Sequence, residues 1–137
     1  MKARSKDYPA LSILIVEDEP GTLELLTAII TMKYPDLALH TAGNGRTGLE
    51  LFKAYMPDIV MTDINMPEMC GAQMTDSIRA LKPDTQFIVL TGTSGKLVLT
   101  GKVEREIEFN HRIMKPVIFK ELFAAVEQCL YEIAQRA

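Results

Sequence analysis

The sequence predicts an α/β protein in which five parallel strands form one sheet, wound on both faces by helices. Two observations carry this expectation. Strand-like and helix-like segments alternate five times, in units of roughly two dozen residues. The strand-like segments are also near-continuous apolar runs, as burial on both faces of a parallel sheet requires. Right-handed crossovers then leave few topologies.

The first strand reads over Leu11-Ser12-Ile13-Leu14-Ile15-Val16 and empties into Glu17-Asp18. A helix follows from Pro20 to Lys33, with Leu23, Leu26, Ile29 and Ile30 at helical spacing, Pro20 in its first turn and Pro35 closing it. Leu37 to Ala42 is the second strand. Gly43-Asn44-Gly45 leads into a helix with Leu49, Phe52 and Tyr55 on one side. The third strand, Asp58 to Thr62, ends in Asp63. After a loop from Met66 to Gly71, Met74, Ile78 and Leu81 mark the third helix, which stops at Pro83-Asp84. The fourth strand, Gln86 to Leu90, ends in Thr91. A fourth helix is expected over Ser94 to Ile107, although Gly95 and Gly101 lower its propensity. The fifth strand, His111 to Met114, ends in Lys115-Pro116. The fifth helix is expected from Val117 to Gln135, with Leu122, Val126, Cys129, Leu130 and Ile133 as its inner stripe.

At 137 residues, 47% hydrophobic and 24% charged, the chain suits one globular domain with a full core. Residues 1–10 read as a polar N-terminal extension and residues 11–135 as the folded domain. A formal charge of −3 supplies no basic stripe, so direct nucleic-acid binding by this domain is not expected. Nor is a membrane: no apolar run reaches the roughly 18 residues of a span, and the N-terminus lacks a signal sequence. Cys70 and Cys129 have neither metal-site nor disulfide-framework spacing, so reduced thiols and a cytoplasmic location are expected.

The chemistry gathers where the strands end. In open α/β sheets ligands bind beyond the carboxyl ends of the strands, and this edge would carry Glu17, Asp18, Asp63, Thr91 and Lys115. Taken singly, each acid could be a helix N-cap or a turn residue. Brought together, three carboxylates repel, so either one stays protonated or a divalent cation neutralises them. An all-oxygen set without histidine or cysteine favours Mg²⁺, or else Mn²⁺, over zinc. Asp18 and Asp63 are then the expected direct ligands, with Glu17 acting through water and the backbone carbonyl of Asn65 completing the set. Lys115 can counter a carboxylate or a phosphoryl oxygen, and its bond to Pro116 suits the cis isomer. The Thr91 hydroxyl would face the same pocket and could donate to an anion.

At these residues the chain resembles a response-regulator receiver domain of two-component signalling. The resemblance rests on Ile13 to Pro20, Pro57 to Pro67, Val89-Leu90-Thr91, Met114-Lys115-Pro116 and Gly71, in order and at family spacing from about Leu11 to Ile133. It implies a flavodoxin-like doubly wound (βα)5 fold with strand order 2-1-3-4-5. It also implies that Asp63 accepts a phosphoryl group from the phosphohistidine of a sensor histidine kinase or phosphotransfer protein. Glu17 and Asp18 would hold Mg²⁺ with Asp63, Thr91 would hydrogen-bond the phosphoryl oxygen and Lys115 would pair with it. Output would pass to a downstream effector through altered protein–protein contacts. Homodimerisation through the fourth and fifth helices is a further expectation, weakly supported by Leu97, Val98 and Leu99.

The chain departs from the family in one place that matters. Three residues before the lysine, where receivers usually carry an aromatic that moves with the threonine, stands Arg112, beside His111. Arg112 is expected to point outward and alter the partner surface while Thr91 still moves. Gly92 follows Thr91 and should leave the phosphoryl group accessible, and Asn65 and Thr93 occupy the positions that tune autodephosphorylation. Thr91-Gly92-Thr93-Ser94-Gly95 is similar to a flavodoxin phosphate loop, but that loop follows a first strand, and Glu17-Asp18 would repel a flavin phosphate there. Two rival functions stay open: a degenerate receiver acting as a constitutive interaction module, and an aspartyl-phosphate phosphatase. The second is disfavoured because its nucleophile would follow the first strand with an aspartate, not Asn65, two residues on. The last residues are still in helical register, so both a complete single-domain regulator and a receiver from a longer protein are open.

Overall fold

In the computed structural model of the chain, residues 11–63, 71–91 and 110–136 are described. They form β1 (Ser12–Val16), α1 (Pro20–Lys33), β2 (Ala38–Ala42), α2 (Gly45–Tyr55), β3 (Ile59–Asp63), α3 (Gly71–Leu81), β4 (Gln86–Thr91), β5 (His111–Met114) and α4 (Phe119–Arg136). The five strands make one all-parallel sheet in the order β2-β1-β3-β4-β5. The expected fourth helix over 94–107 and the loop before Gly71 lie outside the described residues, and the expected fifth helix is α4.

Alternation along the strands splits the core in two. Ile13, Ile15, Met61, Ile88 and Leu90 join Leu26 and Ile30 of α1 and Leu122, Val126 and Cys129 of α4 in one cluster. Leu14, Val16, Val60 and Phe87 join Phe52 of α2 and Met74 and Ile78 of α3 in the other. β3 and β4 are buried throughout, as expected of central strands. The edge strands β2 and β5 are not, because each has a sheet neighbour on one side only. On the second face the packing is close: a Cβ on Gly48 would lie 2.9 Å from Val16 Cγ2 and 3.0 Å from Met74 Sδ.

Helix ends follow local chemistry. Pro20 opens α1, and the Glu19 carboxylate caps it by accepting from the Thr22 N–H at 2.6 Å and the Thr22 hydroxyl at 2.7 Å. Asn44 caps α2 by accepting from Thr47 N–H at 2.8 Å. At the other end Met56 takes the left-handed conformation, φ 47°, usually filled by glycine. Tyr55, expected on one side of α2 with Leu49 and Phe52, and Leu81, expected to mark α3 with Met74 and Ile78, are 57% and 45% exposed. Each is the last residue of its helix, with no following turn to cover it; Tyr55 instead stacks on His40, ring centroids 4.2 Å apart. The α4 stripe is as expected, with Leu122, Val126 and Cys129 buried and Leu130 and Ile133 packed against them. Among the described residues, no helix is long and apolar enough to cross a membrane.

Candidate functional site

Register assembles the site. Val16 lies opposite Thr62, so Glu17 falls beside Asp63, the last residue of β3. Thr91 ends β4 opposite Met114, which puts Lys115 just beyond it, its N–H donating to the Thr91 carbonyl at 2.9 Å. Sequence positions dozens of residues apart thus meet at one edge of the sheet. Glu17, Asp63 and Thr91 are buried there, while Asp18 is exposed.

One carboxylate oxygen from each of Glu17, Asp18 and Asp63 falls within 4.8 Å of the others. Lys115 Nζ stands between two of them, 3.0 Å from Asp63 Oδ2 and 3.0 Å from Glu17 Oε1. Glu17 Oε2 accepts the Glu19 N–H at 3.1 Å. Burial pushes the Glu17 carboxyl above its ordinary range; the Lys115 contact and the Glu19 amide oppose that rise, and the charge on Asp63 adds to it. Burial alone would lower the Lys115 ammonium, but Asp63 and Glu17 outweigh it and hold the group above its usual value. One ammonium does not balance three carboxylates, so the site keeps a surplus of negative charge at its exposed end, by Asp18.

That surplus, with hard oxygen donors only, is what a small divalent cation requires. The residues fit the expected Mg²⁺. Glu17, Asp18 and Asp63 each offer a carboxylate oxygen to such an ion, the three atoms within 4.8 Å of one another. Asn65, whose backbone carbonyl was to complete the set, lies outside the described residues, as do Gly92 and Thr93. The Thr91 hydroxyl is buried and has no hydrogen-bond partner among the described residues.

Arg112 pairs with Val89 in the β4–β5 register and is exposed, two residues before the exposed Met114. Two details escaped the sequence reading. The Thr62 hydroxyl donates to the Asp63 carbonyl at 2.8 Å, which no pattern in the chain signals. The Glu19 cap could have been found, as an acid three residues ahead of Thr22 at a helix start. The Lys115–Pro116 bond is cis, as expected.

A doubly wound parallel sheet that ends in an acidic pocket with one bridging lysine defines a class of α/β domains with an anion- or metal-dependent site at the strand ends. Within that class the chain belongs to the response regulator receiver domain family, whose profile matches residues 13–127. It is 32% identical to the regulatory protein AtoC of Escherichia coli over 124 residues, covering 86% of this chain and 25% of AtoC. It is 28% identical to the probable C4-dicarboxylate response regulator DctR of Bacillus subtilis over 117 residues, covering 85% of this chain and 50% of DctR. The chain thus spans half or less of the length of these relatives. Among solved structures, a two component transcriptional regulator AraC from Clostridium phytofermentans has a TM-score of 0.78 at 30% identity, covering 93% of this chain and 97% of that one. The response regulator TrrA from Thermotoga maritima, solved in complex with Mg²⁺-BeF, has a TM-score of 0.73 at 29% identity, covering 87% and 98%.

Proposed function

We propose that this receiver domain is a phosphorylation-switched signalling unit in which Asp63 accepts a phosphoryl group from the phosphohistidine of a sensor histidine kinase or phosphotransfer protein. The observation that carries the reading is Lys115 held 3.0 Å from Asp63 Oδ2 and from Glu17 Oε1 beside Asp18. An Asp63 carboxylate oxygen forms the new bond to phosphorus as the phosphorus–nitrogen bond of the donor breaks, and the donor histidine leaves. The protein's task is then positioning and charge neutralisation. Lys115 orients Asp63 in the resting site and can move its ammonium to a phosphoryl oxygen, while the Thr91 hydroxyl turns to donate to another. Glu17, Asp18 and Asp63 would hold Mg²⁺, or less favourably Mn²⁺, which when bound neutralises charge on the transferring group. The similarity to TrrA, solved with Mg²⁺-BeF, supports this.

The product is a changed surface, not a turned-over substrate, so the domain is read as a switch and not an enzyme. Its output is a contact with an effector protein, made without direct binding of nucleic acid by this domain. Incubation with acetyl phosphate and Mg²⁺ tests the reading. One acid-stable, hydroxylamine-labile phosphoryl group is expected, lost in Asp63→Ala. No incorporation would favour a constitutive interaction module, and sustained release of phosphate from added phosphoesters would favour a phosphatase.

A further inference from the structure

Where the strands begin, at the end of the sheet away from the acidic pocket, a cavity of about 590 Å³ opens between the last turns of α1 and α4. Its floor is apolar: Leu11, Leu37, Leu130 and Ala134. Tyr34 forms one wall. Its hydroxyl, shared between Glu127 Oε2 at 3.2 Å and the Phe123 carbonyl at 3.3 Å, ties α1 to α4 and fixes the Glu127 carboxylate at the rim. Tyr131 stands at the mouth, 60% exposed, and its ring stacks on no other ring among the described residues. A volume of this size is in the range of sites for small organic ligands, and no role in the chemistry at Asp63 reaches it.

The charge of the cavity follows from where its neighbouring cations go. Lys33 and Arg136 stand in the last turns of α1 and α4, at the poles where a cation normally offsets the helix dipole. Both are engaged elsewhere. The Lys33 ammonium lies 5.2 Å from the centre of the Phe123 ring, and Arg136 Nη1 is 3.4 Å from Asp84 Oδ2. Neither Phe123 nor Asp84 lines the cavity. The cavity therefore keeps the charge of Asp36 and Glu127 and the negative ends of two helices. We propose that it binds an organic cation with a flat apolar body, of the arylalkylammonium class. The ring sits on Leu37, Leu130 and Ala134 beside Tyr131, and the ammonium lies beside Glu127. Aromatic walls and an apolar floor select the ring, and the carboxylates with the helix ends select the positive charge. An anion of the same shape would meet like charge at the rim.

Tryptamine, a cation at neutral pH, is the probe, titrated into the full chain and followed by heteronuclear NMR, with indole-3-acetate as the anionic control. Saturable shifts are expected around residues 33–37 and 127–135, with a dissociation constant of about 1 mM or below. Indole-3-acetate should bind at least about tenfold more weakly. Glu127→Gln should weaken tryptamine about three- to fivefold, as befits an exposed charge pair. Ala134→Trp, which fills the floor, should abolish the shifts while the rest of the spectrum stays that of the folded parent. Should that variant fail to fold, Glu127→Gln, a surface change on α4, decides alone. The proposal is overturned by no saturable shift up to roughly 10 mM tryptamine, by shifts that map elsewhere or survive Ala134→Trp, by unchanged affinity in Glu127→Gln, or by equal binding of the two probes. None of these readouts passes through Asp63.

Discussion

Lys115 Nζ is 3.0 Å from Asp63 Oδ2 and 3.0 Å from Glu17 Oε1, so one ammonium serves two acids that arrive on different strands. Removing it leaves two buried carboxylates facing each other. Lys115→Ala should cost about 2 kcal/mol, below the roughly 3–5 of a fully buried pair because Lys115 is 28% exposed. Urea denaturation measures it. The same variant should incorporate less phosphoryl from acetyl phosphate than the parent.

Glu17 supplies a pH signature. Its folded carboxyl lies above the ordinary 4.5, so the protonated form is favoured in the folded protein. Its contribution to stability is therefore present below that value and lost as pH rises through the folded pKa. Glu17→Gln removes this dependence. The stability of the variant relative to the parent should rise with pH above about 4.5, and saturating Mg²⁺ should narrow the gap by stabilising the parent. Parallel melts between pH 4 and 8, a range of about four units around the carboxyl and neutral regions, read both effects. A flat difference would contradict the assignment.

Arg112 stands on the exposed side of β5, opposite Val89 of β4. Arg112→Ala should leave phosphoryl incorporation at Asp63 intact and weaken the effector contact made by the phosphorylated protein. Heteronuclear NMR of the acetyl-phosphate-treated variant checks the first part. A titration with the effector checks the second, and an unchanged affinity would remove Arg112 from the partner surface.

Cys129 is buried in the α1–α4 core, and burial pushes its thiol up to about 12 from 9.0. Folding therefore holds a proton that the unfolded chain releases. Stability should fall as pH climbs from 9 toward 12, by about 1.4 kcal/mol per unit from this group alone. In a Cys70→Ser background, Cys129 should resist thiol reagents at pH 8 until denaturant is added, which absorbance assays follow directly.

Met56 caps α2 at φ 47°, a conformation costing a side-chain-bearing residue about 1 kcal/mol relative to glycine. The residue is 40% exposed, so little packing is lost on truncation. Met56→Gly should raise stability by up to about 1 kcal/mol, seen as a higher melting temperature.

Much of the fold is legible in the chain because its signals are local. The Pro20–Lys33 helix and the His111–Met114 strand have the expected bounds, since Pro20, the apolar spacing and the flanking polar residues act within a few residues. Tyr55 and Leu81 are exposed because periodicity says which side of a helix a residue takes, not whether the sheet extends far enough to cover it. The exposed β2 and β5 follow from strand order, which apolar runs do not encode.

For the site, residue types at strand ends sufficed to pick out Glu17, Asp18, Asp63, Thr91 and Lys115 as a group. Which residues stand where each strand runs out depends on neighbours along the chain, so it can be read there. That Val16 meets Thr62 and Thr91 meets Met114, so that Lys115 reaches both Asp63 and Glu17, is set by the assembled sheet. Contacts of that kind span dozens of residues and depend on sheet order and register, which no local pattern contains.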